Sequence, residues 1–384
     1  MSFPLTPIGE VLSPITTWNP SRIAGSTTFR YIDLSSVDRD EKAVSATTQI
    51  TVSEAPSRAR QLVKTGDILV STVRPNLNAV AVVDDELDGA TASTGFSVLR
   101  PATAKATSRY IYHWVRTPVF VTDMVRKATG ASYPAVSDRI VAESLIPLPP
   151  LPEQRRIAGI LDAADALRRR RREALALLDT LPGAIFAEMF GDPAINERGW
   201  PARPVGEVCE LLNGKAFKPS DWTDEGIPII RIQNLNDPKK PFNRTLRRFD
   251  DRFYIRKGDC LFSWSGTPGT SFGCFDWQGP EGWLNQHIFK VTTAPDVAPS
   301  FFRHQMNIRM GELIAKAHGG VGLQHVTKGM ITEMNFLVPP EDDQSRFVDA
   351  VARHDQNVFQ GRQHLAHLDS LFASLQSRAF AGEL

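Results

Sequence analysis

Between Lys239 and Lys257 the chain carries Lys239, Lys240, Arg244, Arg247, Arg248, Arg252, Arg256 and Lys257 against only Asp250 and Asp251. Cations gathered this way suit the phosphates of a nucleic acid; a solvated surface face is the competing reading. A second stretch, Ser263-Trp264-Ser265-Gly266-Thr267, follows an apolar run. Small residues let the backbone approach a ligand and hydroxyls both donate and accept, which makes Trp264, Ser265 and Thr267 candidate DNA contacts. The equivalent earlier segment, Ser71-Thr72-Val73-Arg74-Pro75-Asn76, offers Arg74, suited to guanine, and Asn76, suited to adenine, through bidentate pairing in the major groove. A plain tight turn accounts for either segment equally well. The third feature is a pair of glycine loops. One carries Lys127, Ser132 and Tyr133, and the other Lys316, His318, Gln324 and His325. They fall at matching places in the two halves of the chain, which favours a shared role. Arg168 to Arg172 form an unbroken run inside a helical pattern. They read either as a solvated helix face or as a contact for an acidic partner or for DNA passing beneath the helix.

Catalytic patterns are missing. There is no Asn/Asp-Pro-Pro-Tyr/Phe element, no Gly-x-Gly-x-x-Gly and no GxxxxGK[ST], so nothing supports a nucleotide cradle. Pro295-Asp296 and Glu341-Asp342-Asp343 lack the following Glu-x-Lys of a nuclease site and read as surface loops. His364 and His367 share a helix face without a third ligand. No nucleophile, base and orienting group stand in a recognisable set. The chain is therefore expected to be non-catalytic, with no metal and no cofactor of its own.

At 384 residues, 42% hydrophobic and 23% charged, the sequence is that of a globular protein long enough for two domains with real cores. Its net charge of +1 excludes a uniformly basic domain, and any nucleic-acid face must be a local patch. The opening Met1 to Leu12 lacks a basic region followed by an apolar run, so no signal peptide is expected, and no apolar stretch approaches a membrane span. Cys209, Cys260 and Cys274 form no CxxC pair. That fits a reducing cytoplasm and argues against a disulfide framework.

The elements that must position these residues are organised around Leu148 to Gly191. Pro149, Pro150 and Pro152 impose extended or turn geometry. After them Ile157, Leu161, Ala164, Arg168, Arg171, Leu175, Leu178, Ile185 and Met189 follow the 4-3 spacing of a coiled-coil seam, with a kink or break expected at Pro182. The stretch occurs twice: VPPEDDQSRFVDAV, from Val338, matches LPPLPEQRRIAGIL, with Gln154 beside Gln344 and Ile157 beside Phe347. The second seam runs Phe347, Val351, His354, Val358, Gly361, Leu365, Leu368, Phe372, Leu375 and Ala379. The globular parts repeat as well. Gly66-Asp67-Ile68-Leu69-Val70-Ser71 is echoed by Gly258-Asp259-Cys260-Leu261-Phe262-Ser263, and Tyr31 to Leu34 by Ile229 to Ile232. The frame is shared while the loops differ, as in a duplicated fold presenting two surfaces. The expected fold is α+β: two duplicated mixed α/β units at 1–147 and 192–337, and two long antiparallel coiled-coil helices at 148–191 and 338–384.

Taken together, LPPLPEQRRIAGILD, its degenerate VPPEDDQSRFVDAV copy, the repeated Gly-Asp segments, SWSGT and the ending AFAGEL resemble the specificity (S) subunit of type I restriction-modification systems. The resemblance covers nearly the whole length. It implies two target recognition domains, each reading one half of a split, asymmetric DNA site, held at a fixed spacing by the two helices. It also implies a cytoplasmic complex for phage defence. In it this chain docks two modification subunits, which use S-adenosylmethionine to methylate adenine, and restriction subunits, which use ATP and Mg. None of that catalysis falls to this chain. The helix starts carry the partner contacts in this reading, at Gln154, Arg155 and Arg156 and at Gln344 and Arg346. Asp342, Asp343 and Ser345 depart from the first copy there. A non-catalytic coiled-coil scaffold whose two heads bind protein is the alternative.

Overall fold

The computed structural model describes residues 3–23, 25–237, 239–266, 272–316 and 324–384. The chain divides into two compact units, residues 1–174 with 361–384, and residues 175–360. Both cuts fall inside long helices, so each helix contributes to both units.

In the first unit, Leu5–Pro7 pairs antiparallel with Leu145–Pro147 and ties the start of the head to its end. A five-stranded sheet runs Thr16–Thr17, Ala59–Leu62, Thr91–Ser93, Thr28–Ile32, Thr48–Thr51. Its Thr91–Ser93 and Thr28–Ile32 strands are parallel and the other pairs antiparallel. A three-stranded antiparallel sheet places Ile68–Ser71 between Phe96–Leu99 and Val80–Val82. Every residue of Ile68–Ser71 is buried, as its unbroken apolar run requires of a strand covered on both faces. Helices Ser108–Trp114, Pro118–Lys127 and Asp138–Ala142 complete the head.

The second unit repeats this plan. Ala202–Pro204 pairs with Asn335–Leu337, and Ile227–Ile230 runs parallel to Gly282–Leu284. Cys260–Ser263 lies between Ile288–Thr293 and Gly273–Asp276. The repeated Gly-Asp has one physical job in both heads. Gly66 and Gly258 sit at φ +85° and +92°, a left-handed turn that suits glycine. The aspartate then accepts from the backbone three residues upstream, Lys64 N to Asp67 and Arg256 N to Asp259, each at 2.8 Å. Each also pairs with a cation from a neighbouring strand region, Arg100 at 2.7 Å and Lys290 at 2.8 Å.

The first long helix spans Leu151–Leu178 and a second piece spans Leu181–Phe190. The break falls where Pro182 cannot donate to the carbonyl a turn earlier. The other long helix, Glu341–Ala381, is unbroken. Its expected seam is buried or half-buried throughout, from Phe347 to Ala379. In the first unit, Ile157, Leu161 and Ala164 share one core with Phe372, Ala379 and Phe380. There Arg168 Nε donates to Asp369 at 2.6 Å and Arg156 donates to Leu384 O at 2.9 Å, so these helix segments run in opposite directions. In the second unit Phe347 meets Phe186 and Phe190 at ring distances of 5.5 and 5.8 Å, and His354 Nε2 lies 2.8 Å from Leu178 O, again with opposite direction. No helix among the described residues is long and apolar enough to cross a membrane.

Candidate nucleic-acid interface

In the first head the loop after the buried strand meets the glycine loop. Val136 N donates to Thr72 O at 2.9 Å, Val73 bridges Ala135, and Arg74 N donates to Pro134 O at 2.7 Å. Gly130, at φ +102°, closes the second loop so tightly that a Cβ would stand 2.9 Å from Tyr133 O. Arg74 lies over the Tyr133 ring at 4.9 Å, a cation–π contact. Tyr133 is 69% exposed. Arg74 and Asn78 hold left-handed backbone, at φ 51° and 45°, a conformation that costs a side-chain-bearing residue about 1–3 kcal/mol. Asn78 is held by donating to Val115 O at 2.9 Å. A cleft of about 550 Å³ opens beside Arg74 and Tyr133, with Val73 and Leu77 on its wall.

Three other candidates of this head sit differently. Asn76 lines a separate cleft with Arg39, Lys42, Arg168 and Arg172. Lys127 ends its helix in an ion pair with Asp123 at 2.6 Å, where helical spacing favours the local partner. Ser132 is exposed on the glycine loop.

The second head makes the same loop-to-loop junction. Val326 N donates to Trp264 O at 3.2 Å, and Ser265–Gly266 pairs with Gln324–His325 as two short strands. The tips differ. Trp264 is half-buried and packs on the head's core, its ring 5.8 Å from Phe289 and 5.5 Å from His287. Ser265 is only 6% exposed. Ser265 is thus closed to a ligand, while Trp264 leans on the core and keeps only part of its surface open. Thr267 and His318 lie outside the described residues, as do the side chains of Lys316, Gln324 and His325.

The basic stretch flanks and includes the strand Asn243–Thr245 of the other sheet of this head. Several of its cations are spoken for. Arg244 donates to Gly226 O at 2.9 Å, and Arg247 pairs with Asp221. Backbone donation from Lys218, then Arg247 itself, holds the Asp221 carboxyl below its ordinary range. Arg252 pairs with Asp250 at 3.5 Å and Arg256 with Asp251 at 3.9 Å. Lys239, Lys240 and Arg248 stand exposed. The patch is thus weaker in free charge than its composition implies.

The helix starts need a firmer correction. Gln154 and Gln344 are 0% and 1% exposed and cannot touch a partner. Gln154 Oε1 accepts from Thr107 N at 3.0 Å, while Nε2 donates to Lys105 O and Pro149 O at 3.0 and 2.9 Å. Gln344 repeats the set with Ala298 N, Asp296 O and Pro339 O, each at 2.9 Å. The repeated glutamine is the clip that joins each long helix to its own head. Arg155, Arg156 and Arg346 are exposed, Arg156 beside Glu153 and Arg346 beside Asp343.

Sequence reasoning missed an ion network in the first unit. Arg109 and His113 converge on Asp162, and Arg116, Arg168 and Arg169 on Asp165. Burial pushes Asp162 up, yet hydrogen bonds from His113 and Arg109 outweigh it and hold the carboxyl at about 2. An ionised carboxylate only accepts, so the His113 Nε2, 2.7 Å away, carries the proton. Among the described residues no group of three or more His, Cys, Asp or Glu stands ready to hold a metal.

The family model of the type I restriction modification DNA specificity domain matches this chain twice, over residues 22–176 and 197–364. The chain is similar to the EcoDI type I restriction enzyme specificity subunit of Escherichia coli, 27% identical over 147 residues, 37% of this chain and 32% of that protein. It is similar also to the MjaIX specificity subunit of Methanocaldococcus jannaschii, 23% identical over 187 residues, 44% of this chain and 42% of that protein. The chain thus spans less than half the length of these curated relatives. A solved structure described as showing complex assembly and conformational transition of the type I R-M system aligns at TM-score 0.67 and 25% identity, over 100% of this chain and 98% of that one. The type I S subunit from M. genitalium shares the fold, at TM-score 0.52 and 14% identity over 99% of this chain and 96% of that one. With both heads and much of both long helices inside the matched residues, the chain belongs to the type I restriction-modification DNA specificity family.

Proposed function

We propose that this chain is the non-catalytic, sequence-specific DNA-binding subunit of a type I restriction-modification complex. Each head reads one half of a split, asymmetric target. The observation that carries this reading is the junction found in both heads, where the loop after a buried strand is clamped to a glycine loop and the two pairs of tips differ. A repeated frame with unlike tips suits two unlike half-sites. Arg74 and Tyr133 are the contacts offered by the first head. In the second, the segment from Thr267, the Lys316–His325 loop, and Lys239, Lys240 and Arg248 are offered. The long helices act as an antiparallel coiled-coil spacer, and the exposed Arg155, Arg156 and Arg346 lie where modification and restriction subunits dock. S-adenosylmethionine, ATP and Mg belong to those partners, and the complex works in the cytoplasm.

The test is a domain exchange. Residues 192–337 are replaced by the equivalent unit of a relative, and methylation is mapped in cells carrying the modification subunit. One half of the methylated target should change and the other stay. A change in both halves together overturns independent reading. The spacer role has its own test: one heptad inserted after Arg172 and another after Arg362 adds about 10 Å. The gap between half-sites should then grow by roughly three base pairs, at about 3.4 Å each.

A further inference from the structure

A second cleft of the first unit, about 820 Å³, is lined by Arg39, Asp40, Lys42, Asn76, Leu77, Arg168 and Arg172. It shares Arg39, Asp40 and Leu77 with the cleft beside Arg74 and Tyr133. The two clefts therefore adjoin, one beside the reading loops of the first head and the other beside the arginine run of the first long helix. Four cations and one acid line its helix end. Behind them, Asp369 partners Arg168 and Arg172, and Asp165 partners Arg168, Arg169 and Arg116. These two carboxylates serve four arginines, which leaves positive charge in excess.

Lys42 lies beside these groups. Its backbone is left-handed, at φ 54°, and its ammonium donates to Asn78 O rather than to a carboxylate. Burial, and then the nearby Arg116, push its pKa down to about 8. Arg39 is exposed and holds no hydrogen bond or ion pair among the described residues. An anionic group entering here would meet Arg39, Lys42 and Arg172 together and relieve their mutual repulsion.

We infer that this cleft carries the phosphodiester backbone of duplex DNA as it leaves the first head, with Arg39, Lys42 and Arg172 as phosphate contacts on the stretch between the half-sites. The inference rests on the proposed DNA reading and extends it to a sequence-independent grip outside the recognition loops. Adjacency to the reading cleft, through the shared Arg39, Asp40 and Leu77, favours DNA over an acidic protein segment, which would have no reason to share that wall.

The experiment measures binding of the full chain to a 40-base-pair duplex of random sequence across a range of salt concentrations. Removing one cation that neutralises a phosphate should reduce the slope of log affinity against log salt by about 0.9. Arg39→Ala should therefore lower the slope by about 0.9, and Arg39→Ala with Arg172→Ala by about twice that. The gap between double variant and wild type should then narrow by roughly tenfold between 50 and 200 mM salt. Arg39→Lys and Arg172→Lys should keep the wild-type slope, because a phosphate needs a cation and not a fork. Arg39 anchors nothing in the fold, so its single variant isolates the phosphate interaction even if Arg172→Ala loosens the helices. Wild-type slope in Arg39→Ala overturns the inference while leaving the reading heads intact. So does unaltered duplex binding combined with abolished binding of inorganic phosphate, or with abolished capture of the modification subunit; these would point to a free anion or an acidic protein. A wild-type chain that binds no duplex at any salt overturns this inference and the proposed function together.

Discussion

The two heads share a frame and spend their tips differently. In the first, Arg74 and Tyr133 are turned out, stacked on each other over a cleft and held by left-handed backbone at Arg74 and Asn78. In the second, Ser265 is buried and Trp264 leans on the core against Phe289. The strand, the junction and the buried glutamine clip are the same in both. The difference teaches that matching positions in a duplicated fold guarantee matching backbone and not matching roles. A tip side chain follows what lies beneath it, and beneath Trp264 there is an aromatic surface to bury.

The strongest test of the shared part is the clip. Gln154→Ala and Gln344→Ala each strip three hydrogen bonds from a buried junction and leave backbone groups unpaired, so each should cost about 2–4 kcal/mol. Urea unfolding gives the total, and amide hydrogen exchange should place each loss in its own unit. Unequal costs would show that the clip is duplicated in geometry only. The unlike part is tested next. Trp264→Ala should cost about 2 kcal/mol of stability, as a half-buried ring leaving its core. Tyr133→Ala should stay within about 0.5 kcal/mol, as an exposed residue does. On a cognate duplex the order reverses, with Arg74→Ala losing about 1–3 kcal/mol of binding. If Trp264→Ala is thermally silent, the reading of the second tip as packed on its core fails.

A further, modest effect is electrostatic and belongs to the first unit, where Asp162 joins head to helix. Its folded pKa, about 2, lies below the ordinary 3.8. The stabilisation is therefore full above the unfolded pKa and is lost as the pH falls from about 5 to 2. Allowing for a side chain 34% exposed, Asp162→Asn should cost about 1 kcal/mol at neutral pH. The gap between wild type and variant should close in acid. A gap that persists at pH 2 would mean that packing, and not charge, is what Asp162 supplies.

Much of the frame was legible in the chain. The two helices, the break at Pro182, the seam from Phe347 to Ala379 and the repeated Gly-Asp turns all follow from local rules: periodicity, a missing donor, a left-handed glycine. The meeting of Arg74 with Tyr133 was half legible, since both were singled out but in separate loops. Arg39 and Lys42 were illegible, because in Asp38-Arg39-Asp40-Glu41-Lys42 they look neutralised by neighbours they do not pair with.

What the sequence by itself determined is therefore the covalently local part: where helices run and stop, which face is apolar, and that the plan occurs twice. Burial of Gln154 and Gln344, the packing of Trp264 on the core, and the gathering of Arg39 and Lys42 with Arg168 and Arg172 were decided only by tertiary structure. The physical reason is range. Propensity and periodicity act over a few residues, whereas the fate of a polar or aromatic side chain depends on partners brought near from more than a hundred residues away, as Arg39 and Arg168 are.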